Sequence, residues 1–133
     1  MMKVFAITLS WNGKDHLNKL EQSLEKMVVD NPEKPANSFD FTWYIRDNGS
    51  KDGTEEMINQ WDQKWIKYYR VNKNTDTYSK GNNFLIDKIK ENEKLDDDDC
   101  ILFLNNDIVI VDPWSLMYMV ELMNDHQDAG VVG

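Results

Sequence analysis

The chain alternates between short apolar runs and longer amphipathic stretches. The apolar runs, rich in β-branched and aromatic residues, predict strands at residues 4–9, 41–45, 66–71 and 100–104. The stretches after them carry apolar residues at the spacing of a helix face. Those positions are Leu17, Leu20, Leu24, Met27 and Val28; Met57, Ile58, Trp61 and Trp65; Phe84, Leu85 and Ile89; and Leu116, Met117, Val120 and Met123.

Local signals place the boundaries of these predicted helices. Residues 31–35 (NPEKP) are typical of a helix end. Asp52 and Glu55 have the spacing of a capping box for the second helix, and residues 79–83 (SKGNN) predict the opening of the third. The Asp-Pro pair at 112–113 predicts the start of the fourth helix, with a cap residue followed by proline.

Strands that alternate with helices at this spacing predict an α/β fold: a Rossmann-like, mostly parallel sheet with helices on both faces. Residues 131–132 predict the start of a fifth strand. No linker or repeat divides the 133 residues, so we expect one domain over 1–133. Ligands of such sheets bind beyond the carboxyl ends of the strands, so the loops after strands one, two and four are expected to face a common crevice.

Charge and composition narrow the classes of partner. The formal net charge is −9 and the acids are spread along the chain without a basic stripe, which predicts no nucleic-acid partner. A diphosphate would meet the same repulsion, which favours a bridging divalent cation. Cys100 is the single cysteine, and the apolar runs are too short for a transmembrane segment. We expect a cytoplasmic location, with peripheral attachment at a membrane left open.

Four polar loops follow predicted strands or open helices, at residues 10–13, 47–54, 78–83 and 105–107. Taken alone, the DNGS sequence within the second loop is equally typical of a tight turn with a helix cap. The third loop is equally typical of an ordinary helix start. Residues 105–107 favour a ligand or a metal, because a carboxylate at the end of a buried strand needs a cation, donors or water.

The motifs SWN at residues 10–12, DNGSKDGT at 47–54, GNN at 81–83 and LNND at 104–107 resemble family 2 glycosyltransferases of the GT-A fold, particularly the rhamnosyltransferase-like branch. The resemblance covers nearly the whole chain. It implies the N-terminal, nucleotide-sugar-binding half of a glycosyltransferase of the hexosyltransferase type. Such an enzyme transfers sugar from a UDP-, dTDP- or GDP-type nucleotide-diphosphate sugar to a glycan or other hydroxyl acceptor, with inversion.

The resemblance also implies roles for individual residues. It places Trp11 against the nucleotide base, a position that suits a broad π-face, although a core tryptophan is the alternative. Asp47 and Asn48 fall where the family contacts base and ribose, and their oxygens can accept from the imide N–H of uracil or thymine. The other implied nucleotide-sugar contacts are Ser10, Asn12, Lys80, Gly81, Asn83, Asn105 and Asn106.

The Asp-x-Asp motif of the family aligns with residues 105–107. Asp107 and Asn105 are therefore the implied ligands of a divalent metal, Mn²⁺ or Mg²⁺. Asn105 replaces the first acid with a neutral oxygen, which weakens the predicted metal site. The family keeps its catalytic base and acceptor site in a second half that follows a strand like residues 131–132. We therefore expect the base and acceptor half to lie outside this chain.

Two other interpretations stay open. A nucleotide or nucleotide-sugar binding module without turnover would also explain the missing base. A different doubly wound nucleotide enzyme is less favoured, because strand one is not followed by G-x-G-x-x-G and no Walker lysine motif occurs. A homo-oligomer could supply the base from a neighbouring chain, and the exposed sheet edge expected after residue 133 favours self-association.

Overall fold

A single parallel sheet forms the centre of the molecule. The structure, a computed structural model, describes residues 2–28 and 39–133. The elements in chain order are β1 (Lys3–Ser10), α1 (Lys14–Val28), β2 (Asp40–Asp47), α2 (Thr54–Gln60), β3 (Ile66–Arg70), α3 (Tyr78–Asn92), β4 (Cys100–Phe103) and α4 (Ser115–Asp125). The four strands are parallel and lie in the order β3-β2-β1-β4. The predicted α/β fold is confirmed.

Both faces of the sheet are covered by helices. Successive strand residues point to opposite faces, so Val4 and Ala6 join one core cluster, whereas Phe5 and Ile7 join the other. The first cluster contains the buried stripes of α1, α2 and α4, and the second contains those of α3. No helix within residues 2–28 and 39–133 is long and apolar enough to cross a membrane.

The apolar stripe predicted for α1 is confirmed. Leu17, Leu20, Leu24 and Met27 are buried against the sheet, as the helical spacing requires. The predicted end of the helix at residues 31–35 lies outside the described part of the chain. α1 therefore packs on the face of the sheet that carries Val4 and Ala6, and it begins four residues after the end of β1.

The helical stripe predicted through Trp61 and Trp65 is wrong beyond the end of α2. The helix ends at Gln60, Trp61 is its C-cap residue, and Trp65 lies in the segment before β3. Both indoles stack on the Trp43 ring of β2, with ring centroids 6.1 and 6.4 Å apart. Packing of three tryptophan rings on the sheet, rather than a helix periodicity, explains their spacing.

The capping box predicted at Asp52 and Glu55 is also wrong. The N-cap residue is Gly53, which adopts a φ of 91° and makes no side-chain cap hydrogen bond. Asp52 instead accepts from the Thr54 hydroxyl and from the backbone N–H of Lys14. Glu55 pairs with Arg70 at the end of β3, at a distance of 3.0 Å. The left-handed backbone at the helix start favours glycine as the N-cap residue, so neither carboxylate occupies the N-cap position.

Three further boundaries differ from the sequence prediction. The third helix begins with Thr77 as its N-cap, whose hydroxyl accepts from the N–H of Lys80, so residues 79–83 form its first turns.

The fourth helix begins at Ser115 and not at the Asp-Pro pair, because Asp112 closes a turn onto residues 114 and 115. The predicted fifth strand at 131–132 is absent from the described chain, and Val131 is 89% exposed without a strand partner.

Candidate functional site

The carboxyl ends of the strands meet at one edge of the sheet. Ser10 at the end of β1 lies opposite Asp47 at the end of β2, and Asp47 lies opposite Arg70 at the end of β3. β4 joins the same edge, where the N–H of Leu104 donates to the carbonyl of Ile7 at 3.0 Å. The polar loops that follow these strands are therefore brought together, as parallel topology requires.

Hydrogen bonds tie the β1–α1 loop to the β2–α2 loop. The N–H of Asn48 donates to the carbonyl of Ser10 at 2.8 Å, and the N–H of Asn12 donates to the Ser50 hydroxyl at 2.8 Å. The side-chain carbonyl of Asn12 accepts from the N–H of Lys51 at 2.9 Å. Asn12 adopts a left-handed φ of 49°, a conformation that asparagine tolerates better than most residues. The two loops form one connected surface.

Asp47 is fully buried beneath this surface. One carboxylate oxygen accepts from the N–H of Ser50 at 2.9 Å. The other accepts from the Tyr68 hydroxyl at 2.5 Å and from Arg70 Nη1 at 3.0 Å. Burial of the phenol and its bond to the carboxylate raise the pKa of Tyr68. The structure therefore places Asp47 where it organises neighbouring residues, and its base-contacting role stays a prediction.

A pocket of about 460 Å³ opens beside Trp11, and we call it the Trp11 pocket. Its lining residues come from three loops: Trp11, Asn12, Asn48, Gly49, Lys51, Arg70, Asn72, Lys73 and Asn74. Trp11 is 52% exposed, so the alternative of a core tryptophan is wrong. The charged side chains that line the pocket are Lys51, Arg70 and Lys73, all cations in a chain with a net charge of −9. Arg70 is paired with Asp47 and Glu55, and Lys73 is paired with Asp76, so Lys51 is the lining cation without an ion pair among the described residues. Its charge suits an anionic ligand.

A second cavity of about 270 Å³ lies between the ends of β1 and β4, and we call it the Asp107 cavity. It is lined by Leu9, Tyr78, Asn82, Leu104, Asn105, Asn106 and Asp107. Strand order reverses between β1 and β4, and such a switch point is the usual ligand crevice of open α/β sheets. The predicted residues Asn105, Asn106 and Asp107 are thus gathered at the expected place.

Asn82 is a buried polar residue of this cavity that the predicted contacts omit. Its side chain is buried, and its amide nitrogen has no hydrogen-bond partner among residues 2–28 and 39–133. A buried amide donor without a partner costs about 1–3 kcal/mol, which a ligand oxygen or water in the cavity would offset. The spacing to Leu85 and Ile89 was a usable signal, because it puts position 82 on the same sheet-facing stripe of α3.

The three positions at the start of α3 that were predicted to contact the ligand, Lys80, Gly81 and Asn83, differ in their surroundings. Gly81 is buried against β1, and a Cβ there would lie 2.6 Å from Leu9 Cδ1, so glycine permits close helix–sheet packing. Lys80 and Asn83 are exposed and line neither the Trp11 pocket nor the Asp107 cavity. Their predicted contacts with the nucleotide sugar remain predictions.

The residues of the Asp107 cavity can be compared with what a divalent metal requires. Asp107 and Asn105 offer one carboxylate and one amide oxygen at exposed positions. Within the described chain, no group of three or more His, Cys, Asp or Glu side chains is placed to hold a metal. This donor set fits Mg²⁺ or Mn²⁺ held jointly with ligand phosphates and water, and does not fit a metal held by protein alone.

Comparison with known proteins now places the chain. The model of the family described as glycosyl transferase family 2 matches residues 12–133. The chain belongs to glycosyl transferase family 2. The predicted family is thereby confirmed, and the fold agrees with the Rossmann-like GT-A fold. Among curated proteins, no sequence matches the chain.

Several solved structures share this fold. A crystal structure of S. aureus TarS residues 1–349 superposes with a TM-score of 0.68 at 21% identity, covering 95% of this chain and 33% of that one. TarS 1–349 in complex with UDP gives a TM-score of 0.70 at 19% identity, with coverages of 95% and 33%. TarS itself gives 0.68 at 21%, with coverages of 95% and 20%. The chain thus spans about a third of the length of TarS 1–349.

Proposed function

We propose that this chain is the donor-binding half of an inverting glycosyltransferase of the rhamnosyltransferase-like branch. It binds a nucleotide-diphosphate sugar of UDP, dTDP or GDP type, and its sugar passes to a hydroxyl of a glycan or another acceptor. The observation that carries the proposal is that the Trp11 pocket and the Asp107 cavity flank the end of β1. Asn12 lines the first and Leu9, three positions earlier, lines the second, and we assign both cavities to one ligand.

The Trp11 pocket suits the nucleoside end of the donor. The half-exposed indole of Trp11 offers a stacking face for a base. Lys51, which has no ion pair among the described residues, supplies positive charge for a phosphate oxygen. TarS, which shares the fold, has been crystallised with UDP. UDP is therefore the first nucleotide to test.

The Asp107 cavity suits the diphosphate and the sugar. Asp107 and Asn105 would hold Mn²⁺ or Mg²⁺ together with phosphate oxygens, in line with their oxygen donors. When bound, the metal would offset negative charge on the leaving diphosphate. Asn82 presents a buried amide donor that lacks a partner among the described residues, and we assign it to an oxygen of the diphosphate or sugar.

The catalytic base is proposed to lie outside residues 1–133. Inversion requires the acceptor oxygen to attack the anomeric carbon from the side opposite the leaving group. A general base, a carboxylate by the family resemblance, takes the proton of the acceptor hydroxyl. The Asp107 cavity has one carboxylate among its lining residues, and we assign that carboxylate to the metal. A second half of a longer protein, or a neighbouring chain in a homo-oligomer, would then complete the active site.

A binding module without turnover is the second candidate, and Asn105 favours it. An amide in place of the first acid removes one negative charge from the metal site, which lowers metal affinity and the stabilisation of the leaving group. Such a module would bind the nucleotide sugar and leave it intact.

One experiment tests both candidate functions, and a second experiment distinguishes between them. Thermal shift with UDP, dTDP, GDP and their sugar conjugates, with and without Mn²⁺, measures binding to the native state. We expect a larger shift with nucleotide and metal together than with either alone, and no shift under any condition would reject both candidates. Donor hydrolysis or sugar transfer then separates the enzyme from the binding module.

A further inference from the structure

Arg46 is a buried cation below the surface that carries the proposed site. Its side chain is 2% exposed and lies on the α3 face of β2, where the guanidinium carbon is 4.8 Å from the ring centroid of Phe84. Desolvating a guanidinium is costly, so a buried arginine persists only with well-placed partners. The groups that Arg46 contacts therefore show which parts of the molecule it holds in place.

The two partners of Arg46 belong to two neighbouring segments at the Trp11 pocket, residues 48–49 and 72–76, which lie next to each other at Gly49. Arg46 Nε donates to Asn48 Oδ1 at 2.9 Å, and Asn48 lines the pocket. Arg46 Nη2 donates to Asp76 Oδ2 at 2.6 Å. Asp76 follows residues 72–74, which also line the pocket, and it pairs with Lys73 at 3.3 Å. One buried side chain thus joins both segments.

The contacts of Asp76 show that this junction is electrostatically favourable. The hydrogen bond from Arg46 is the main cause that lowers the pKa of Asp76, and Lys73 adds to the effect. The planar guanidinium serves two acceptors at once, which a lysine ammonium at the same position would not reproduce in the same geometry.

The same contacts decide how Asn48 meets a ligand. A guanidinium can only donate hydrogen bonds, so the bond from Nε holds the carbonyl end of the Asn48 amide toward Arg46. The NH₂ end is then the end left for the pocket. Asn48 is presented as a donor, which suits a carbonyl oxygen of a base or a ribose oxygen better than an imide N–H.

We propose that Arg46 is a positioning residue for nucleotide recognition, which fixes Asn48 as a hydrogen-bond donor and holds residues 72–76 as the neighbouring wall of the Trp11 pocket. The inference rests on the proposed function, because it assigns the pocket to a nucleotide. The rival role is a contribution to fold stability alone, and it makes different predictions for ligand affinity.

Titration calorimetry with UDP and Mn²⁺ tests the coupling between Arg46 and Asn48. We expect Arg46→Met and Asn48→Ala each to weaken UDP binding about tenfold, and the double variant to be no weaker than either single variant. Arg46→Lys should restore only part of the loss. Val120→Ala, in α4 on the opposite face of the sheet, is the control that lowers the melting temperature without changing UDP affinity.

Two results would overturn the inference. Arg46→Met with wild-type affinity for UDP would leave the residue a purely stabilising role. Losses that multiply to about 100-fold in the double variant would show that Arg46 does not act through Asn48.

Hydrogen exchange in the ligand-free protein tests the wall separately from nucleotide binding. Arg46→Met and Asp76→Asn should speed amide exchange over residues 71–77 by about tenfold or more relative to Val120→Ala. Unchanged exchange there would refute the positioning of the wall even if wild-type protein binds UDP. Faster exchange in a protein whose wild type does not bind UDP would instead refute the proposed function and keep the wall positioning.

Discussion

The side-chain amide of Asn106 donates a hydrogen bond to the hydroxyl of Ser10 at 3.1 Å, joining residues 96 positions apart in the sequence. The contact ties the loop after β4 to the end of β1, at the switch point of the sheet. Gly13 makes room for it, since a Cβ there would lie 2.5 Å from Asn106 Nδ2 and 2.8 Å from Ser10 Oγ. The contact that holds Asn106 at the Asp107 cavity therefore depends on a glycine in the β1–α1 loop.

Gly13→Ala should displace Asn106 and disturb the Asp107 cavity. We expect a loss of about 1–3 kcal/mol in the free energy of unfolding from the steric conflict. Metal-dependent UDP binding should also weaken. Gly130→Ala is a matched control, because a Cβ at Gly130 meets nothing within 4 Å. Urea unfolding and calorimetry provide the two readouts, and equal behaviour of the two alanine variants would contradict the expectation.

Trp11→Ala should weaken UDP binding about tenfold or more, because base stacking on an aromatic ring contributes about 1–3 kcal/mol. Stability should change by less than about 0.5 kcal/mol, since the indole is half exposed. Tyr118→Ala, another half-exposed aromatic on α4, controls for loss of surface area. UDP affinity measured by calorimetry decides the matter, and an unchanged affinity in Trp11→Ala would remove the stacking role.

Asp47→Asn should destabilise the fold by about 2–4 kcal/mol, because it removes the buried charge that pairs with Arg70 and replaces one of two bonded carboxylate oxygens by an NH₂ donor. Asp40→Asn at the exposed start of the same strand is the control and should change stability by less than about 0.5 kcal/mol. Urea unfolding measures both. A loss below about 1 kcal/mol for Asp47→Asn would mean that its bonds contribute little.

The carboxyl group of Glu21 makes the free energy of unfolding depend on pH. Burial of this α1 carboxyl, reinforced by the charge of Glu25, raises the pKa of Glu21 from 4.5 to about 7. The native state therefore binds more protons than the unfolded state between these values. The stability contribution of neutral Glu21 is fully present below about pH 4.5 and is lost as pH rises through about 7.

Glu21→Gln should remove this dependence. We expect the variant to be more stable than wild type at pH 8, by about 1–3 kcal/mol, and close to wild type at pH 4. Urea unfolding at several pH values measures the difference. Glu121→Gln, at an exposed position of α4, should show no such trend. Wild-type stability that does not fall between pH 5 and pH 8 relative to Glu21→Gln would contradict the raised pKa.

The sheet and its ligand edge were predictable because they depend on local patterns. Apolar runs place the strands, and parallel topology alone brings residues 10–13, 47–54 and 105–107 to one edge. Trp61 and Trp65 were misassigned because their rings pack on Trp43 of a distant strand, which no helical periodicity encodes. Tertiary packing decided the end of α2.

The interior of the site was less predictable, because its contacts join residues far apart in the chain. Arg46 stands at the polar end of a strand in the sequence, and its burial depends on Asp76 and Phe84, which lie 30 or more residues later. The sequence does not distinguish Asn82 from Asn83, because the two differ only in the helix face they occupy. The carboxylate of Asp47 is engaged by Ser50, Tyr68 and Arg70, two of which belong to a different strand.

The most direct test is the effect of Mn²⁺ on UDP affinity, measured by calorimetry in wild type and in Asp107→Ala. The control is Asp128→Ala, at an exposed position outside both cavities. We expect Mn²⁺ to raise the affinity of wild type and of the control about tenfold or more, and to leave Asp107→Ala unchanged. Wild-type protein that binds no UDP with Mn²⁺ present would contradict the proposed donor site, and an unimpaired Mn²⁺ effect in Asp107→Ala would contradict the metal assignment.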